Sequence, residues 1–284
     1  MSKPGPVRTS RNPGLDLVGG FAEAAGRFAA SVAEADMHDP VPGCPPWSTY
    51  DLVVHLGNVH AWAATIVENG SAAVEQNDEP RSHRPRLVSE WYAGKAEDLH
   101  EVLRSTDPAR PCWNFASGQG MAGFWHRRQL HETTIHTIDI DSVTHRTRTI
   151  AAVLAEDGID EVLRVWLPRM HHRRHPATLS APLVITTTDT SRAWTLTPRP
   201  VRPTPDAAVP TQPRGPVRGA PESAPARTEG PPLVIDRRHP RADLVTGPAE
   251  AIYRVLWKRW PADRLELSGD VGRIEAFLGS PLVP

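Results

Sequence analysis

The sequence predicts an α-helical bundle followed by a small α+β module, and three observations carry that expectation. At 284 residues the chain is about twice the length of a common single domain, so two hydrophobic cores are the starting point. Up to about residue 168, apolar residues recur at helical spacing with turn residues between the runs. From about residue 176 the texture changes to short runs dominated by Val, Ile, Thr and Trp.

The helical half divides into five stretches, roughly 15–37, 48–68, 86–105, 121–143 and 148–168. The second has the sharpest start: Pro45, Pro46 and Trp47 precede Ser48, and Ser48 with Asp51 makes a capping-box signature. Its apolar stripe reads Leu52, Val59, Trp62 and Ile66. The β-rich runs follow at 182–188 and 193–197. Between Pro198 and Pro232 stand eleven prolines, separated mainly by Gly, Ala, Thr and Arg. With almost no large apolar side chain, that segment cannot offset its ordering entropy and reads as a disordered, partly polyproline-like insertion. After it come a short run at 243–246, a helix over 248–260, another short run at 265–267 and a last helix near 271–278. The expected organisation is a flexible N-terminus at 1–14, a bundle at 15–168 and an α+β domain at 176–284 carrying the insertion 198–232. The sheet is interrupted in sequence without having to be interrupted in space.

Composition narrows the function. Lys plus Arg number 32 against 33 Asp plus Glu, a formal net charge of −1, so no global field attracts nucleic acid or anionic lipid. No run approaches eighteen apolar residues, which excludes a membrane-spanning helix. The polar start, Met1 to Pro13, lacks the apolar centre of a secretory signal, and a cytoplasmic protein is expected. Cys44 and Cys112 form no C-x-x-C pair, so neither a disulfide framework nor a cysteine-only zinc site is expected. Cys44 reads as a packed loop residue rather than a nucleophile. There is no phosphate-cradling glycine loop and no G-x-S-x-G elbow.

The chemistry concentrates on two helices. His55 lies three residues after Leu52 and four before Val59, which puts an imidazole on the apolar stripe of the second helix, whereas His60 falls off it and reads as surface. On the helix 121–143, at about 100° per residue, Phe124, Arg128, Glu132, His136 and Asp139 share the face centred on Ile135. Burying a guanidinium, carboxylates and an imidazole together is costly unless they pair or bind an ion. Glu132 and His136 are one turn apart and can reach one cation from one face. An inward His55 supplies a third ligand; two nitrogens and one carboxylate leave an open position, the pattern of catalytic rather than structural zinc. Asp139 is placed to accept the second N–H of His136, and Arg128 to orient Glu132 or hold a substrate anion. His131 is the alternative ligand. His126 and His145 sit partly off the face, and His171, His172 and His175 alternate with arginines in a solvated basic segment.

At these residues the chain resembles a known family. Cys44-Pro-Pro-Trp-Ser-Thr-Tyr-Asp-Leu-Val-Val-His-Leu56, Arg127-Arg-Gln-Leu-His-Glu-Thr-Thr-Ile-His-Thr-Ile-Asp139 and Asp157-Gly-Ile-Asp-Glu161 resemble the mycothiol-dependent maleylpyruvate isomerases of actinobacteria. The resemblance implies a DinB-like four-helix bundle, with metal ligands falling on His55, Glu132 and His136. Gly247 to Arg259 is similar to that family's sterol-carrier-like C-terminal domain, which implies a substrate-binding role for Arg259 near the active site. Here Lys258 stands where the family often has glycine. The implied function is a zinc-dependent enzyme that adds the thiolate of mycothiol, a low-molecular-weight thiol, to a small electrophilic substrate, as isomerase or S-transferase. The alternatives are a metal-dependent hydrolase and a non-catalytic small-molecule-binding protein.

Overall fold

The computed structural model describes residues 14–75, 77–198, 232–235 and 242–284. The expected flexible N-terminus, up to Pro13, and nearly all of the expected disordered insertion lie outside the described residues. Four long helices come first. Helix α1 (Leu17–Val32) starts at Asp16, whose side chain accepts the Gly19 N–H. Helix α2 (Thr49–Asn69) starts at the anticipated capping box, Ser48 and Asp51 each accepting from the other's backbone N–H, and stops at Gly70 in the left-handed region at φ 68°. Helix α3 (Pro85–Ser105) has proline at its first position, where no N–H is needed, and α4 spans Gly123–Val143. α1 packs against α3 and α4, and α2 packs against the same two, which closes a four-helix bundle. Phe21, Phe28, Leu52, Leu56, Tyr92, Leu99, Trp125 and Ile135 are fully buried in it.

Two local features differ from the sequence expectation. Between α3 and α4 lies an antiparallel hairpin, β1 (Pro111–Asn114) with β2 (Gly118–Met121), in a stretch whose glycines mask strand character. The helix expected at 148–168 is instead α5 (Ala152–Glu161), a π-helical turn at Val162–Trp166 and α6 (Leu167–His172). Pro168 has no N–H to give to the carbonyl four residues back, and the chain widens there, with Leu167 N–H reaching Val162 O.

The later part builds a five-stranded sheet from β3 (Leu183–Thr187), β4 (Ala193–Thr197), β5 (Leu233–Ile235), β6 (Asp243–Gly247) and β7 (Glu266–Ser268), ordered β5-β4-β3-β6-β7. Of the neighbouring pairs among these described strands, β3 with β6 is parallel and the other three are antiparallel. β4 and β5, which flank the proline-rich stretch, pair directly through Thr195 with Ile235 and Thr197 with Leu233, so the sheet is continuous in space. Helix α7 (Ala249–Leu256) follows β6, and α8 (Val271–Gly279) packs against β6 and β7. The two-part, helical and α+β class expected from the sequence is the one observed.

The described residues form two compact units, those up to Ile159 with Tyr253–Pro261, and those of Asp160–Ile252 with Ala262–Pro284. The segment 253–261 thus counts with the first unit, unlike the expected division. Tyr253 is fully buried against Gly158, where any side chain would collide with its ring. α7 ends in a Schellman pattern, Arg259 N–H to Arg254 O at 2.8 Å and Lys258 N–H to Val255 O at 3.0 Å, with Lys258 at φ 62°. That left-handed position is the physical reason glycine suits residue 258. Among the described residues, no helix is long and apolar enough to cross a membrane.

Candidate metal centre

The burial of α2 explains the placement of its two histidines. Its buried line runs through Leu52, Val53, Leu56, Ala63 and Val67, while Val59 and Trp62 are only half-buried. His60 lies on that line and is fully buried, not on the surface as expected. Its Nδ1 meets Gln129 Oε1 at 2.9 Å and its Nε2 meets the Tyr92 hydroxyl at 3.2 Å. Burial, partly offset by the Gln129 bond, pushes its pKa down to about 4, so the ring is neutral. His55, at the edge of the line, stays 31% exposed in its side chain.

Helix α4 is enclosed nearly all round: from Gly123 to Asp141 only Glu132 is not fully buried. Glu132 Oε1 lies 3.4 Å from His55 Nε2 and 3.4 Å from His136 Nε2. The two imidazoles stand edge to face, centroids 5.3 Å apart. Oε2 is engaged separately by Arg128 Nη2, whose guanidinium lies over the Trp257 ring at 5.7 Å. Burial alone would raise the Glu132 pKa. Arg128 and the hydrogen bonds from His136 and His55 outweigh it and hold the group well below the usual carboxylate range. Two ligand atoms about 2.0–2.1 Å from a tetrahedral zinc are about 3.4 Å apart, so the donor spacing fits that ion without rearrangement of Oε1 against either nitrogen.

The other side of His136 is tied down. Its Nδ1 lies 2.9 Å from Asp139 Oδ2, the contact anticipated for Asp139. Burial would lower the His136 pKa, but bonds with Asp139, Cys44 and Glu132 push it well above the usual imidazole range. Burial would likewise raise Asp139, yet His136 and Arg259 bring it down to about 2. Cys44 Sγ lies 3.3 Å from Asp139 Oδ2. Among the described residues, two clusters have ligand atoms close enough for one ion: His55, Glu132 and His136, and Cys44, His136 and Asp139. The second already faces a cation, because Arg259 Nη2 is 2.7 Å from Asp139 Oδ2 and 3.1 Å from Cys44 Sγ. Both non-histidine donors of that cluster are thus taken by one guanidinium, whereas in the first cluster Arg128 takes Glu132 Oε2 and leaves Oε1 facing the two imidazoles, which makes the first cluster the candidate centre.

Other histidines turn elsewhere. His131, the alternative ligand, points its Nε2 to Asp157 Oδ1 at 2.7 Å, where Arg127 Nε also donates at 2.6 Å. His126 faces two backbone oxygens, those of Ala122 and Leu103. His145, His172 and His175 are exposed and His171 half-buried. A cavity of about 400 Å³ opens beside His55, lined by Trp47, Tyr50, Val54 and Asn58 among others. The Trp47 ring lies tilted at 45° against His55, centroids 4.7 Å apart, and 6.3 Å from His136. Sequence reasoning missed the grouping of Cys44 and Arg259 around Asp139. The only local signal for it was the loop Val41-Pro-Gly-Cys44 just before the α2 cap.

Residues 19–141 match the family described as the mycothiol maleylpyruvate isomerase N-terminal domain. No curated protein matches the chain in sequence. A crystal structure of the mycothiol-dependent maleylpyruvate isomerase is similar at a TM-score of 0.56 and 11% identity, covering 89% of this chain and 92% of that one. A histidine-to-alanine mutant of that enzyme matches at 0.56 and 10% with the same coverage. The resemblance read from the helix motifs is borne out, and at such identities the structural likeness is one of fold.

Proposed function

We propose that this chain, whose residues 19–141 carry the mycothiol maleylpyruvate isomerase N-terminal domain, is a metal-dependent enzyme that uses mycothiol on a small electrophilic substrate. The observation that carries the reading is the convergence of His55 Nε2 and His136 Nε2 on Glu132 Oε1 at 3.4 Å each. A divalent cation, zinc by the nitrogen-and-carboxylate donor set, when bound there lowers the pKa of a thiol and so supplies a nucleophile at neutral pH.

The residues of the chain divide the remaining work. Arg128 occupies Glu132 Oε2 and leaves Oε1 to face the two imidazoles. Asp139 accepts from His136 Nδ1, which fixes the tautomer with Nε2 as the ligand atom. Trp47 sets an apolar ring beside both imidazoles, against His55 and at the wall of the cavity. The partly exposed side of His55 opens on the cavity, where a small substrate and a thiol can approach. Addition of the thiolate to an electrophilic carbon, if reversed after bond rotation, isomerises the substrate; if retained, it gives a thioether.

Metal content of the purified chain, measured beside His55→Ala and His136→Ala, tests the site. About one equivalent in the wild type, lost from both variants, is the expected result. Chelation followed by metal readdition, with thiol consumption followed at each stage, tests the chemistry; thiol chemistry indifferent to the metal overturns the proposal.

A further inference from the structure

We infer that Arg259 is a positioning residue for the metal centre: its guanidinium fixes the Asp139 carboxylate, and Asp139 in turn fixes the ring of His136. This rests on the reading of His55, Glu132 and His136 as the ligands. The hydrogen-bond inventory of Arg259 carries it. Nε donates to Asp139 Oδ1 at 2.7 Å, and Nη2 to Asp139 Oδ2 at 2.7 Å and to Cys44 Sγ at 3.1 Å. Nη1 donates to the Trp257 carbonyl at 2.7 Å. A guanidinium has five N–H donors, and four of them meet acceptors of this chain. Holding a substrate carboxylate through two parallel bonds requires a free edge, and both edges of this guanidinium are engaged. The side chain is only 10% exposed. The residue that the family resemblance assigns to substrate therefore acts on Asp139.

The consequence passes to the metal ligand through one atom. Asp139 Oδ2 accepts from both Arg259 Nη2 and His136 Nδ1. Asp139 is almost fully buried, and without the guanidinium it keeps only His136 Nδ1 and Cys44 Sγ, both on Oδ2, so the two-point hold on the carboxylate is lost and the imidazole orientation loosens with it. An independent feature supports the same pair. A Cβ placed on Gly43 would collide with Asp139 Oδ1 and stand 3.0 Å from Arg259 Nε. The absence of a side chain at residue 43 permits this approach of carboxylate to guanidinium. The loop Val41-Pro-Gly-Cys44, helix α4 and the end of α7 meet at one carboxylate.

The experiment uses the full chain and cobalt(II) as the probe, with affinity read by chelator competition and ligand geometry by the visible absorption of the bound ion. Arg259→Met is expected to weaken cobalt binding by about tenfold to a hundredfold, the usual effect of losing a partner behind a metal ligand. Arg259→Lys keeps the charge but not the two-pronged geometry, and recovers part of the loss. Gly43→Ala disturbs the pair without removing a charge and weakens binding in the same direction. Far-ultraviolet circular dichroism checks each fold; should Arg259→Met not fold, Arg259→Lys and Gly43→Ala carry the test. Wild-type affinity and an unchanged spectrum in the folded variants overturn the inference. A metal-free readout separates it from the ligand assignment: the His136 Nδ1–H resonance of the apoprotein is expected in the wild type and lost or shifted in the variants. If the wild type takes up no cobalt, the metal reading fails, and an Nδ1–H signal untouched by the substitutions overturns the role of Arg259 as well.

Discussion

Protonation of His60 sets a pH limit on the bundle. The ring is fully buried between Gln129 and Tyr92, and its pKa falls from 6.5 to about 4 because burial disfavours the charged form. The unfolded chain binds the proton below about pH 6.5 and the folded chain only below about pH 4, so the stabilising effect is complete above 6.5 and is lost as pH falls towards 4. At about 1.4 kcal/mol per pH unit, the whole window is worth about 3 kcal/mol, and about 2 kcal/mol has gone by about pH 5. Urea unfolding with chelator present, at about pH 7.5 and about pH 5, measures the loss in the wild type and in His60→Gln. Glutamine keeps an amide near the tyrosine hydroxyl but does not titrate. The stability of the variant is expected to fall by about 2 kcal/mol less than that of the wild type between the two pH values. Equal losses in both proteins refute a neutral, buried His60.

Further outcomes follow from other contacts. Asp157→Ala leaves Arg127 and His131 buried without the carboxylate they share at 2.6 and 2.7 Å, and is expected to cost about 3–5 kcal/mol in denaturant unfolding. Ser48→Ala removes one half of the α2 capping box and is expected to cost about 1 kcal/mol by the same assay. Lys258→Gly relieves a left-handed conformation at the end of α7 and is expected to stabilise the chain by about 1 kcal/mol. Arg128→Met removes the strongest influence holding Glu132 deprotonated; the acid limb of cobalt binding is expected to move to higher pH, and an unmoved limb counts against Glu132 as a ligand.

Local chemistry made much of the fold legible. The Ser48–Asp51 cap, the long helical periods and the shift to β-branched runs depend on neighbours within a few residues, and the helix starts and strands appear where those patterns put them. The pairing of Glu132 with His136 was legible for the same reason, since four residues make one helical turn. His60 was misjudged because a stripe chosen from Leu52, Val59, Trp62 and Ile66 is rotated away from the line that the bundle buries. Helix α4 is enclosed on nearly every side, so periodicity could rank its faces only by composition.

The motif Asp157-Gly-Ile-Asp-Glu161 shows the division between the two sources of information. Its residues could be recognised as a pattern, but their work is tertiary: Asp157 answers Arg127 and His131, and Gly158 makes room for Tyr253. The same holds for Arg259, which lies 120 residues from its partner Asp139. By itself the sequence determined which segments are helix or strand and which side chains one turn can bring together, because those interactions are short-range. Only the tertiary structure decided which buried charges meet which partners, because that depends on how the helices rotate and on where the chain end returns.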